Sequence, residues 1–313
     1  MLIPKKRLQW EYKRIEQELI KKDVLLEADK KLNAIDFIRK HDADILLYLN
    51  DIYSYQNNTA IKVYKITDLV KKDINEKLEI LYKALLISHK IFDENDIEKN
   101  KFYLAKWDNI DSLDYKRIWY INFKSSYYPF GYEEKKEVLT SENSNIYIKN
   151  DLLIIRSISS KISALLDRFT VDFELKQDNI IDLTPKKNIL KIFQNMKSKS
   201  DLDLKTYEFS IKNPLVSVPA DTLTFSSPLV KSGNSIDLEE IDDNEDIGKL
   251  ILEANDISKI LLYNFKDNRD NYDEEAKIAI TKVDSAVRIS NRISDYAILN
   301  LAKGIQKSYE NLQ

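Results

Sequence analysis

Glu174, Leu175 and Lys176 set a carboxylate and an ammonium two positions apart, with a further carboxylate, Asp151, upstream. If residues 170–176 form an alternating strand, Val171, Phe173 and Leu175 face one way and Asp172, Glu174 and Lys176 the other. Two acids converging there could hold Mg²⁺ while the lysine steadies an attacking water or a scissile phosphate. A second set, Asp242, Asn244, Asp246 and Glu253, offers oxygen ligands at the first, third, fifth and twelfth places of a loop, a spacing suited to Ca²⁺. In a third, Lys116, Arg117 and Lys124 interleave with Trp119, Tyr120, Tyr127 and Tyr128. Rings that stack bases beside cations that track phosphates would suit single-stranded nucleic acid or a protein partner.

The Glu-x-Lys spacing resembles the PD-(D/E)xK nuclease superfamily, which implies metal-dependent phosphodiester cleavage by Asp151, Glu174 and Lys176. The sequence lacks the Pro-Asp of that pattern, and a helix over 158–169 intervenes where the superfamily has a hairpin. With 49 basic and 52 acidic residues, an alternating strand produces Glu-x-Lys by composition, and a solvated face is the favoured reading. The second set is similar to an EF-hand loop, but Ile247 stands where the turn needs glycine and Lys249 where an apolar residue belongs. A mobile acidic loop is favoured there. His41-Asp42 is similar to the dyad of HD-domain phosphohydrolases, yet only His89 remains to complete a metal set, so a helix-end histidine is expected. The expectation for cofactors is none, with Mg²⁺ or Ca²⁺ the ions these carboxylates would take.

Composition narrows the classes further. The 313 residues are 43% hydrophobic and 32% charged with net charge −3, so no global field recruits nucleic acid or anionic lipid. Cysteine is absent, which removes disulfides, thiolate nucleophiles and thiolate metal sites. The four glycines, Gly131, Gly233, Gly248 and Gly304, lie too far apart for a P-loop or a dinucleotide fingerprint, whose backbones must approach phosphate without a Cβ. No Gly-x-Ser-x-Gly elbow exists. The basic start leads into an amphipathic segment instead of an apolar leader, and no run approaches the ~20 apolar residues of a membrane span. A cytoplasmic chain is expected.

The elements that must position these residues centre on 145–177. Ile146, Tyr147 and Ile148, the turn pair Asn150-Asp151, and residues 152–155 predict a β-hairpin. Ile158, Ile162, Leu165, Leu166 and Phe169 predict a helix, and 170–176 the strand considered above. Upstream, Leu8, Tyr12, Ile15, Leu19, Lys22 and Leu26 form a heptad seam on a helix running to about Lys31. A second helix fits 33–55, so an antiparallel hairpin or a dimerisation arm is expected. Further expectations are a strand at 61–66, a helix over 67–89, a strand at 117–124, a turn at 127–132 and a helix after Pro185. Beyond these come β-prone pieces over 204–230, an acidic loop at 237–246, a helix over 249–265, a β-prone 277–289 and a closing helix over 290–312.

These elements predict an α+β protein: an N-terminal antiparallel helical hairpin, a central mixed sheet with helices, and a C-terminal β-prone region closed by a long amphipathic helix. The boundaries read as 1–57, 58–198 and 199–313. The expected function is a non-catalytic binding or assembly protein that meets a protein partner, or itself, through the N-terminal helices; nucleic acid is the other partner considered. The AT-rich bias of the composition fits a nucleic-acid-associated accessory of a prokaryotic mobile element or phage-defence system. The competing class is the metal-dependent nuclease.

Overall fold

The computed structural model describes residues 3–53, 59–67, 74–87, 101–110, 114–130, 134–184, 202–215, 220–226, 249–250, 257–267, 278–281, 286–290 and 292–310. It is an α+β protein that divides into two units, Met1–Gln56 and Asn57–Gln313. No helix among the described residues is long and apolar enough to cross a membrane.

The first unit contains α1 (Lys5–Lys21), α2 (Ala34–His41) and α3 (Ala43–Tyr53). Helix α1 stops ten residues short of the expected Lys31 because Asp23 turns left-handed and closes its end. The expected helix over 33–55 is two helices. Asn33 caps α2 by accepting from the amides of Ile35 and Asp36, and Asp42 does the same for α3 by accepting from Ile45. A capping side chain at Asp42 competes with helix continuation, so the chain breaks there. Tyr12 and Phe37 pack ring on ring, 4.3 Å between centroids, tying α1 to α2.

The second unit is built on one sheet. Its strands are β1 (Thr59–Ile66), β2 (Phe102–Ile110), β3 (Tyr115–Phe130), β4 (Glu134–Lys149), β5 (Leu152–Ser157), β6 (Ile180–Asp182), β7 (Leu202–Lys212), β8 (Thr222–Ser226), β9 (Ile257–Asp267), β10 (Ile278–Thr281) and β11 (Val287–Ile289). They lie in the order β2-β3-β4-β5-β1-β11-β10-β9-β7-β8, with β6 also paired to β1. The sheet was expected to be mixed; every described pairing is antiparallel. Short connections such as Asn150-Asp151 can only reverse the chain, whereas a parallel neighbour needs a long crossover. Strands from both sides of residue 198 share this sheet.

Helices cover both faces. On one, Ile61, Val63, Tyr147, Ile154, Val287 and Ile289 pack against α6 (Asp295–Glu310) through Ile298, Leu301, Ala302 and Ile305. On the other, Tyr64, Ile118, Tyr120, Ile146 and Leu153 meet α5 (Ile162–Asp172) through Ile162, Leu165 and Phe169, and also Leu78 of α4 (Ile74–Ile87). Double coverage explains why β5 is buried at every position instead of alternating.

Three expected elements differ. Residues 170–176 are no strand: α5 continues to Asp172 and a cap follows. The spacing Ile162, Leu165, Phe169 extends to Phe173, which stacks on Phe169 at 4.4 Å, so the helical period wins over the alternation. Ile257–Asp267 is strand β9, not helix, because it is paired on both sides, by β7 and β10. Residues 127–130 continue β3, whose pairing with β4 runs to Phe130 opposite Glu134. The expected helix after Pro185 and the acidic loop at 237–246 lie outside the described residues.

A chain with few glycines puts other residues at left-handed positions: Asp23, Asp114, Asn150 and Glu174 have φ of 53°, 56°, 54° and 54°. Asn150 opens the two-residue β4–β5 loop. Asp23 and Glu174 each follow the last residue of a helix end closed by paired back-bonds; at Glu174 these run from Leu175 N–H to the Thr170 carbonyl (2.9 Å) and from Glu174 N–H to that of Val171 (3.2 Å). Left-handed backbone costs a residue with a Cβ about 1–2 kcal/mol, against about 0.5–1 kcal/mol of extra chain entropy lost by glycine. Glu174→Gly is therefore expected to raise stability by about 0.5–1 kcal/mol, read from the urea midpoint; Glu174→Ala, which keeps the Cβ, should give no such gain.

Candidate functional site

The Glu-x-Lys pair sits on the cap that ends α5. Glu174 Oε1 is 2.5 Å from Lys77 Nζ of α4, on the surface. Lys176 is the residue before a 3₁₀ turn at Gln177–Asn179. Asp151 lies in the β4–β5 turn, its carboxylate 3.5 Å from Lys65 Nζ and its carbonyl accepting from the Ile66 amide. Each carboxylate thus meets its own lysine, and the strand that would have aligned Glu174 and Lys176 is absent. Among the described residues no group of three or more His, Cys, Asp or Glu is placed to hold a metal ion. Asp242, Asn244, Asp246 and Glu253 lie outside the described residues, as does His89.

The aromatic-basic stretch divides by burial. Trp119 and Tyr120 are core residues. The Trp119 ring is flanked by Lys106 Nζ at 4.5 Å and Arg117 Cζ at 4.7 Å. Tyr120 donates to Asp172 Oδ2 at 3.1 Å, and Arg168 holds the same carboxylate. Burial, reinforced by Asp172, pushes the Tyr120 phenol well above its ordinary range. Neither ring is available to stack a base without opening the sheet. Lys116 meets Asn75 and Asn109 and lies over Trp107. The side chains of Lys124, Tyr127 and Tyr128 are outside the described set.

Sequence reasoning missed the most concentrated polar cluster. Asp295, in the first turn of α6, accepts at Oδ1 from Tyr147 Oη (2.5 Å) and Arg156 Nη1 (3.0 Å), and at Oδ2 from Arg117. Arg156 is fully buried, and its other arm donates to the Ile293 carbonyl at 2.8 Å. Arg117 also forks onto Asp108, at 2.9 and 2.6 Å. Burial acts to raise the Asp108 carboxyl, but the Arg117 fork and the nearby Lys106 hold it below the usual carboxylate range. Two arginines thus face two acids, and the cluster clamps the start of α6 to β3, β4 and β5. The available signal was an arginine inside the apolar run Leu152–Ser157. Its chemistry is positional: all the Asp295 oxygens are engaged by the protein's own donors.

The first unit carries a different surface. Trp10, Ile20, Val24, Leu26 and Leu47 are each more than half exposed, five of the seven such large apolar side chains among the described residues. Beneath them the charges are internally paired. Glu11, buried, meets Arg7 at 2.6 Å and Arg14 at 2.9 Å, and Arg14 reaches Asp42 at 3.1 Å. Buried Asp29 meets Lys40 and, at 3.5 Å, His41, the last residue of α2, whose ring packs on Phe37. No protein-family model matches the sequence, and no curated protein matches it.

Proposed function

We propose that this chain is a non-catalytic binding and assembly protein whose N-terminal helical unit pairs with a second copy of the chain. The observation that carries this reading is the set of exposed apolar side chains on that unit, Trp10, Ile20, Val24, Leu26 and Leu47. Half-exposed side chains of this size contribute about 1 kcal/mol each on burial, roughly 10 kcal/mol from two copies, against an association cost of about 4–15 kcal/mol. That balance suits a modest, concentration-dependent dimer. A net charge of only −3 adds little repulsion between copies. The biological setting we attach to it, an accessory of a mobile element or phage-defence system, rests on composition alone.

Light scattering over a concentration series tests the proposal. The full chain is expected to shift from monomer toward dimer between micromolar and hundreds of micromolar, and Leu26→Glu combined with Leu47→Glu to keep it monomeric. A monomer throughout would end the reading. Plasmid cleavage with Mg²⁺ or Mn²⁺ that Lys176→Ala abolishes would replace it with the nuclease.

A further inference from the structure

We propose that the folded chain closes a covalent cross-link on itself, an isopeptide bond between the Lys161 amine and the side-chain amide of Asn122, with Glu142 carrying the protons. Asn122 and Glu142 stand directly opposite each other on β3 and β4, so their side chains leave the same face of the sheet. Lys161 ends the 3₁₀ turn that leads into α5, the helix packed on that face. Its Nζ hydrogen-bonds to Asn122 Oδ1 and lies 2.5 Å from Glu142 Oε2.

The amide and the dryness of the site separate this trio from an ordinary ion pair. Asn122 is 1% exposed and Glu142 3%. Asn122 Nδ2 donates to the Lys101 carbonyl at 3.0 Å, which fixes the end of the amide that meets the lysine. The electrophilic carbon is one bond beyond the contacted oxygen, so a small side-chain rotation brings it to the about 3–3.5 Å from which attack begins. Amine, amide and proton carrier are held by a helix start and two paired strands, and groups so placed react with effective molarities of about 10⁵ M or more. Water, the competing nucleophile, has little access to the buried amide.

The step needs no oxidant and no second substrate. Glu142 takes a proton from the Lys161 ammonium, and the free amine attacks Asn122 Cγ. Glu142 then passes its proton to Nδ2 and removes one from Nζ. The Cγ–Nδ2 bond breaks and the new Nζ–Cγ amide remains. Ammonia departs with the last proton as ammonium, which leaves Glu142 a carboxylate again. Nδ2 already points at the carbonyl of Lys101, an exposed residue just ahead of the edge strand β2, so the leaving group has a short way to solvent. The product joins residues 39 positions apart and closes a loop that the unfolded chain would otherwise open.

The test is the intact mass of the purified full chain, denatured before measurement. It is expected to fall about 17 Da below the mass of the sequence, one ammonia lost. A tryptic digest should then contain a branched peptide joining residues 118–124 to residues 157–168. Lys161→Arg, Asn122→Ser and Glu142→Gln should each return the full mass. Full mass in the unsubstituted protein, after prolonged incubation with its folded far-ultraviolet spectrum intact, would overturn the proposal whatever the variants do. A loss that persists in Lys161→Arg, with no branched peptide, is a succinimide at an asparagine and overturns it equally. A cross-link that forms undiminished in Glu142→Gln overturns the proton path.

Discussion

Asp295→Ala is expected to lower the unfolding free energy of the sheet unit by about 3–5 kcal/mol, measured by urea titration followed in the far-ultraviolet. The acid accepts from Tyr147, Arg156 and Arg117, so its removal strands a fully buried guanidinium and a phenol in the core face of the sheet. The penalty comes from the charge left behind more than from the bond lost, and a second variant isolates it. Combining Asp295→Leu with Arg156→Met removes both charges and leaves Arg117 on its Asp108 fork. The double variant should recover most of the loss, because buried pairs replaced by apolar groups of similar volume are commonly neutral. If the double variant is as unstable as Asp295→Ala, the cluster acts through shape and not through charge balance.

That cluster marks where the sequence could be read and where it could not. The hairpin at 146–155 was legible because a β-prone apolar run, a turn dipeptide and a second apolar run all agree, and α6 because one apolar stripe persists over four turns. Residues 257–267 were not: ISKILLYNFKD satisfies a helical stripe and a β-prone run alike, and only the flanking strands β7 and β10 decide between them. Arg156 and Asp295 stand 139 positions apart, and no spacing rule joins them. Left-handed Asp23 and Glu174 were hidden for a different reason: with glycine missing, the usual marker of a helix end is missing too.

Phe173→Ala is expected to cost about 3–5 kcal/mol while Val171→Ala costs under about 0.5 kcal/mol, although alternation would put both on one buried face. Phe173 is 1% exposed and stacked on Phe169; Val171 is 71% exposed. In a helix these two positions are some 200° apart around the axis, so one points into the layer between α5 and the sheet and the other into water. Emptying the first leaves a cavity lined by Phe169, Leu165 and the sheet, and packing there has little freedom to collapse. Equal losses at the two positions, measured by the same urea titration, would restore a strand at 170–176. They would also put Glu174 and Lys176 back on a common polar face, and with it the geometry a metal-dependent nuclease requires. A large difference leaves Glu174 where the fold puts it, at the end of a helix and paired with Lys77.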